Sequence, residues 1–274
     1  MSVSLAISPC PNDTFVFHAL VHGLVPGAPP VKVTYADVDV TNTAAEQGTY
    51  DLVKVSYAAL PWLLERYALL PCGGALGRGC GPLLLTASPR EPADLAGATV
   101  AVPGDRTTAY LLFRLWADGL NVARVTVMPF AQIMPAVRDG VVDAGLVIHE
   151  ARFTYPQYGL HQLVDLGQWW EQETGLPIPL GAIVARRGMD IDAAAEWIRT
   201  SVRMAWSNPA ASQEYVLAHA QEMDPAVVSQ HIALYVNSFT ENLGDEGYAA
   251  AEELLGRAAA AGLVPKVSES QLRR

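Results

Sequence analysis

Val3-Ser4-Leu5-Ala6-Ile7-Ser8-Pro9-Cys10-Pro11-Asn12-Asp13-Thr14-Phe15-Val16-Phe17-His18 opens the chain, and its reading decides the architecture. Val3–Ile7 has the β-branched and aliphatic content of a strand. The Pro-Cys-Pro-Asn-Asp break ends it, and residues 14–22 follow with helical patterning behind Asn12 or Asp13 as cap. A strand, a polar break and a helix make the basic unit of an α/β sheet.

Outward from that stretch the unit recurs. Val31, Val33 and Tyr35 alternate as in a strand, and 41–47 reads as a helix closed by Gly48. Residues 51–55 form a third strand, 57–64 a helix and 81–86 another strand. Pro89, Pro92 and Gly97 mark a connection. A second series then begins with Thr99–Val102 and the turn Pro103-Gly104-Asp105-Arg106. Helix 107–118 follows, with Leu111/Leu115 and Leu112/Trp116 on one face and Gly119 at its end. Strand 125–128 comes next, then a short helix with Pro135 in its first turn. Strand 143–148 ends at His149, and 181–185 returns as a strand. Beyond Met189 the segments 190–206, 209–222, 225–235 and 244–261 are helical in pattern, with no strand after about residue 187. The alternation predicts mostly parallel sheets in two α/β lobes. Lobe 1 is 1–87 plus 187–274, lobe 2 is 88–186, and a ligand cleft is expected between them.

Composition narrows the function. Of 274 residues, 51% are hydrophobic and only 17% charged, which excludes a disordered chain. No apolar run approaches the roughly 18 residues of a membrane span. Acidic residues outnumber basic ones 28 to 18, for a net charge of −10, the wrong sign for a nucleic-acid surface. A small-molecule partner is expected instead. The opening lacks a basic region followed by an apolar stretch, so no secretory leader is read and a cytoplasmic location is expected. Cys10, Cys72 and Cys80 are an odd set without a C-x-x-C pair, which argues against a disulfide framework and a zinc site. Cys10 is either a nucleophile or, more commonly for such a residue, a small buried thiol.

In open α/β sheets ligands sit beyond the carboxyl ends of strands. That rule selects 8–14, Lys54–Ser56, 103–108 and His149. Segments 8–14 and 103–108 each run from a turn into a helix start, where amides and the helix dipole favour an anion such as a carboxylate. Asn12, Thr14, Thr107 and Thr108 are the candidate contacts there, and plain helix capping is the competing reading. Lys54 is one of only three lysines, with Lys32 and Lys266. Within an apolar strand it lies either at a solvated edge or aimed at a partner. Ser56 either donates to a ligand or caps the next helix. His149 alone among six histidines stands at a strand's carboxyl end, where imidazole can exchange protons near neutral pH. Glu150 is either its orienting partner or a helix-start acid. The glycine-rich stretch 73–81 lacks Gly-Lys-Ser/Thr and precedes a strand, so it reads as a flexible crossing, not a phosphate loop. Trp169-Trp170 is read as packing in preference to ligand stacking.

Five strings carry a resemblance: Ser8-Pro9-Cys10-Pro11-Asn12-Asp13-Thr14-Phe15, Lys54-Val55-Ser56-Tyr57, Ile148-His149-Glu150-Ala151-Arg152-Phe153-Thr154-Tyr155, Asp165-Leu166-Gly167-Gln168-Trp169-Trp170-Glu171 and Thr174-Gly175-Leu176-Pro177-Ile178-Pro179-Leu180-Gly181. Together they resemble the 1,4-dihydroxy-6-naphthoate synthase family of the futalosine route to menaquinone. The resemblance implies a type II periplasmic-binding-protein-like fold and a lyase acting on cyclic dehypoxanthine futalosine. It implies His149 as general base and Lys54, Val55, Ser56, Thr107 and Thr108 as substrate contacts, with an aromatic carboxylate as substrate and no cofactor or metal. The alternatives are the chorismate dehydratase of the same route, or a non-catalytic solute-binding protein.

Overall fold

A computed structural model describes residues 2–220 and 224–273. The chain forms two compact units, Met1–Gly77 with Pro179–Arg274, and Arg78–Ile178.

The first unit holds a six-stranded sheet. Its strands are β1 (Val3–Ile7), β2 (Val31–Tyr35), β3 (Leu52–Ser56), β4 (Tyr67–Leu69), β5 (Ala75–Gly77) and the last strand of the chain, Ile178–Arg186. β2, β1 and β3 are parallel neighbours. The last strand runs antiparallel between β3 and β4. Helix Pro11–Val21 starts three residues earlier than the expected Thr14. Pro11 takes the first helical position, where its missing N–H costs nothing, and Cys10 is the N-cap without a side-chain bond. Leu5, Ile7, Phe15, Phe17, Ile183 and Ile198 centre a core shared with helix Ile191–Ser207. Buried Ser201 ties those helices together, donating to the Val16 carbonyl at 2.6 Å.

The second unit's sheet comprises β6 (Leu83–Thr86), β7 (Thr99–Val102), β8 (Arg124–Val127), β9 (Ala144–Val147) and β10 (His161–Asp165), so the last strand of the chain becomes β11. The order is β10-β6-β9-β7-β8. β7 is parallel to β8 and β9, while β6 is antiparallel to β9 and β10. The sheets are therefore mixed where mostly parallel ones were expected. The chain crosses before β6, not near residue 88, because Leu83–Thr86 is hydrogen-bonded into this second sheet. It returns at the start of β11, ahead of the expected 187. Pro135 lies inside helix Phe130–Arg138, not in its first turn. The carbonyl it cannot serve, four residues back, belongs to exposed Ala131. The same helix packs on β9 only because Gly145 lacks a Cβ, which would lie 2.6 Å from Ile133 Cγ2.

Strands β4, β5 and β10 were not read in the sequence. No strand follows Arg186 among the described residues, and none of their helices is long and apolar enough to cross a membrane.

Candidate active site

In the first unit, β1 and β3 are adjacent, so their carboxyl ends carry 8–14 and Ser56 side by side. β3 is flanked by β1 and β11, which places Lys54 in the sheet interior and removes the solvated-edge reading. The residue is 6% exposed. A buried ammonium requires a counter-charge, and Asp13 supplies it at 2.6 Å. Asp13 also accepts from the Ser8 amide at 3.2 Å, the Ser8 hydroxyl at 2.7 Å and Asn12 Nδ2 at 2.9 Å. Since the Asn12 NH2 faces that carboxylate, its Oδ1 faces His231, and Nε2–H of the buried imidazole donates to it at 2.9 Å. A network thus runs from the strand β1 loop through Asp13 to β3 on one side and to helix Pro225–Tyr235 on the other. The lysine side chain has room because β11 carries Gly181, where a Cβ would lie 2.7 Å from Lys54 Cε.

Ser56 is two residues along β3 from Lys54 and shares its face, while fully buried Val55 points to the other. Asn42, on helix Val38–Glu46, meets Ser56 twice: Oδ1 accepts from the Ser56 amide at 2.8 Å and Nδ2 donates to its hydroxyl at 3.1 Å. Thr14 is fully buried and its hydroxyl donates to the Cys10 carbonyl at 3.1 Å, which ties it to its own helix's first turn. Cys10 is a buried thiol outside any disulfide. Burial pushes the Cys72 and Cys80 thiols up to about 12.

In the second unit, Thr107 caps helix Thr108–Trp116. Its hydroxyl donates to the Gly104 carbonyl at 2.8 Å and accepts from the Tyr110 amide at 3.2 Å. Capping thus occupies the Thr107 side chain. The anion-binding capacity at this end comes from first-turn amides, which a helix gives no internal partner. His149 follows β9 with φ 55°, one of two non-glycine residues with positive φ among those described. The conformation is left-handed, uncommon for a side chain of this size, and typical of strain held at functional positions. Its ring lies edge-on to Phe130 at 5.5 Å between centroids. Glu150 beside it is buried, and its Oε2 has no hydrogen-bond partner among the described residues.

The remaining unusual strings build the frame. Arg152 pairs with Asp165 at 2.5 Å and donates to the Gly81 carbonyl at 2.8 Å. Asp165 caps helix Leu166–Thr174. Gly81 and Gly167 touch so closely that a Cβ on Gly81 would lie 2.2 Å from the Gly167 Cα. Trp170 is fully buried, with Nε1 donating to the Pro177 carbonyl at 3.1 Å, so it packs and does not stack on a ligand. No group of His, Cys, Asp and Glu among the described residues is arranged to hold a metal.

Asp13 was read only as a helix cap, and Asn42 and His231 were not singled out in the sequence. A buried lysine demands a carboxylate, so Asp13 had a signal. His231 stands 219 positions from its partner and had none.

Two mixed sheets bearing polar clusters at strand ends define a periplasmic-binding-protein-like α/β fold. The alkanesulfonate-binding protein SsuA of Xanthomonas axonopodis shares it at TM-score 0.74 and 16% identity, over 97% of this chain and 94% of that one. A crystal structure from Archaeoglobus fulgidus matches at TM-score 0.90 and 33% identity, over 96% and 98% of the two chains. Residues 3–260 match the family model described as menaquinone biosynthesis, and the chain belongs to that family. Its relatives include proteins named 1,4-dihydroxy-6-naphtoate synthase. The one from Streptomyces coelicolor is 63% identical over 99% of this chain and 98% of its own length. The one from Thermus thermophilus is 48% identical over 96% of each.

Proposed function

We propose that this chain is a carbon–carbon lyase of menaquinone biosynthesis, converting cyclic dehypoxanthine futalosine to 1,4-dihydroxy-6-naphthoate with His149 as general base. The observation that carries the reading is the 63% identity with the Streptomyces coelicolor synthase through nearly the whole of both chains. The geometry of His149 supports the role assigned to it. An imidazole is held in a left-handed conformation directly beyond a strand end, where glycine would avoid the backbone strain.

The chemistry follows from the residues. His149 takes a carbon- or oxygen-bound proton from the non-aromatic ring. The released electron pair forms the new ring double bond, the bond to the three-carbon, sugar-derived fragment breaks with its electron pair leaving on that fragment, and the fragment takes up the proton held by His149. Aromatisation supplies the driving force, and the reading invokes no metal or redox cofactor. The proposed substrate contacts are the Ser56 hydroxyl in the first unit and, in the second, the helix start at Thr107 and Thr108. Lys54 has three N–H donors, and Asp13 engages one.

His149→Asn tests the base. Asparagine tolerates positive φ, so the variant folds and binds substrate. Turnover is expected to fall by at least about 100-fold, the usual weight of a general base. Turnover near wild type would reject His149 in this role.

A further inference from the structure

We infer that Asn42 is a positioning residue that compels Ser56 to act as a hydrogen-bond donor toward an oxygen anion of the substrate. This role rests on the proposed function, in which Ser56 contacts substrate.

Asn42 is fully buried on helix Val38–Glu46, and Ser56 is 3% exposed at the carboxyl end of β3. A backbone N–H can only donate, so the amide atom 2.8 Å from the Ser56 nitrogen is oxygen. The other amide atom, 3.1 Å from the Ser56 hydroxyl, is therefore the NH2. An NH2 can only donate, so toward Asn42 the hydroxyl oxygen must accept. Its own hydrogen is directed elsewhere, and Ser56 Oγ makes no other hydrogen bond among the described residues. The two contacts fix both the rotamer of Ser56 and the polarity of its hydroxyl. Serine alone can accept or donate; serine clamped by this amide presents a proton. A carboxylate or developing oxyanion is the complement, and a ligand group that only donates is refused.

An isosteric reversal exposes the device. Asn42→Asp keeps the bond from the Ser56 amide but replaces the NH2 with an acceptor, so the Ser56 proton turns inward to the new carboxylate. Michaelis constants for cyclic dehypoxanthine futalosine are measured for Ser56→Ala, Asn42→Asp and the double variant, with folding checked by circular dichroism. The expectation is that Asn42→Asp raises KM about tenfold, the weight of one hydrogen bond to a charged group, with kcat little changed. In the Ser56→Ala background it should add less than about twofold. If the buried carboxylate prevents folding, Asn42→Ala runs through the same cycle with the same pattern. An equal rise in both backgrounds overturns the inference, because Asn42 then acts independently of Ser56. So does an unchanged KM in the Asn42 variants when Ser56→Ala raises it. If Ser56→Ala itself leaves KM unchanged, the substrate contact fails and the inference falls with it.

Discussion

His149 sits at φ 55° between β9 and a short helix, where a glycine would be at ease. A side chain there costs roughly 1–2 kcal/mol of backbone strain. We predict that His149→Gly is more stable than His149→Ala by about 1 kcal/mol in urea denaturation, since only glycine is relieved of the strain. Equal stabilities would contradict the left-handed conformer. Lys54 and Asp13 present the complementary case, in which charge and not backbone is confined. Removing one member of a buried pair leaves the other uncompensated, at about 3–5 kcal/mol. Asp13→Asn is expected to lower unfolding free energy by roughly 3 kcal/mol; a change under about 1 kcal/mol would mean that the pair is solvated. Candidate positions at this scale were legible where chemistry is local. His149, Ser56 and Lys54 announced themselves by standing at or just inside a strand end. Thr14 and Thr107 carried the same signal, yet their hydroxyls serve their own helices, because a threonine beside a helix start finds a backbone carbonyl within reach.

Helices Pro11–Val21 and Gln213–His219 meet through rings. His18 lies 4.4 Å from His22 and 5.4 Å from Tyr215, and His219 packs tilted at 4.5 Å from the same tyrosine, between ring centroids. The Tyr35 and Tyr215 hydroxyls are joined by a hydrogen bond. Burial, and then the neighbouring His22, hold the His18 pKa below its ordinary 6.5. The folded state therefore favours neutral His18, while the unfolded chain takes up its proton near pH 6.5. That contribution is present above this pH and is lost as pH falls through the depressed folded value. The melting temperature should drop between about pH 7 and pH 5, and His18→Gln should flatten the drop. An identical slope in the variant would contradict it. Elements with period and punctuation were readable, and β1, β2 and β7 appear within the expected bounds. β4 and β5 span three residues each, too few for periodicity to register, and β10 opens His-Gln with two exposed residues. The antiparallel insertion of β11 beside β3 was also silent, because strand direction depends on partners far away in sequence.

Across the whole molecule, acidic residues exceed basic ones by ten, yet an anionic substrate is proposed. Net charge governs solubility and long-range steering, whereas a site is set by local donors. In the first unit the donors proposed are a strand-end serine held by an amide and one lysine whose charge Asp13 already balances. Two-unit organisation was legible from the repeated strand–helix series, but its crossings were not. β6 carries no mark in its own residues of which sheet it joins, and that assignment comes from pairing with β9 and β10. The most direct measurement is incubation of the purified chain with cyclic dehypoxanthine futalosine, followed by chromatography and mass spectrometry. The account predicts accumulation of 1,4-dihydroxy-6-naphthoate in the wild type and its loss in His149→Asn. Substrate bound by the wild type but recovered intact, or turnover of chorismate in its place, would contradict it.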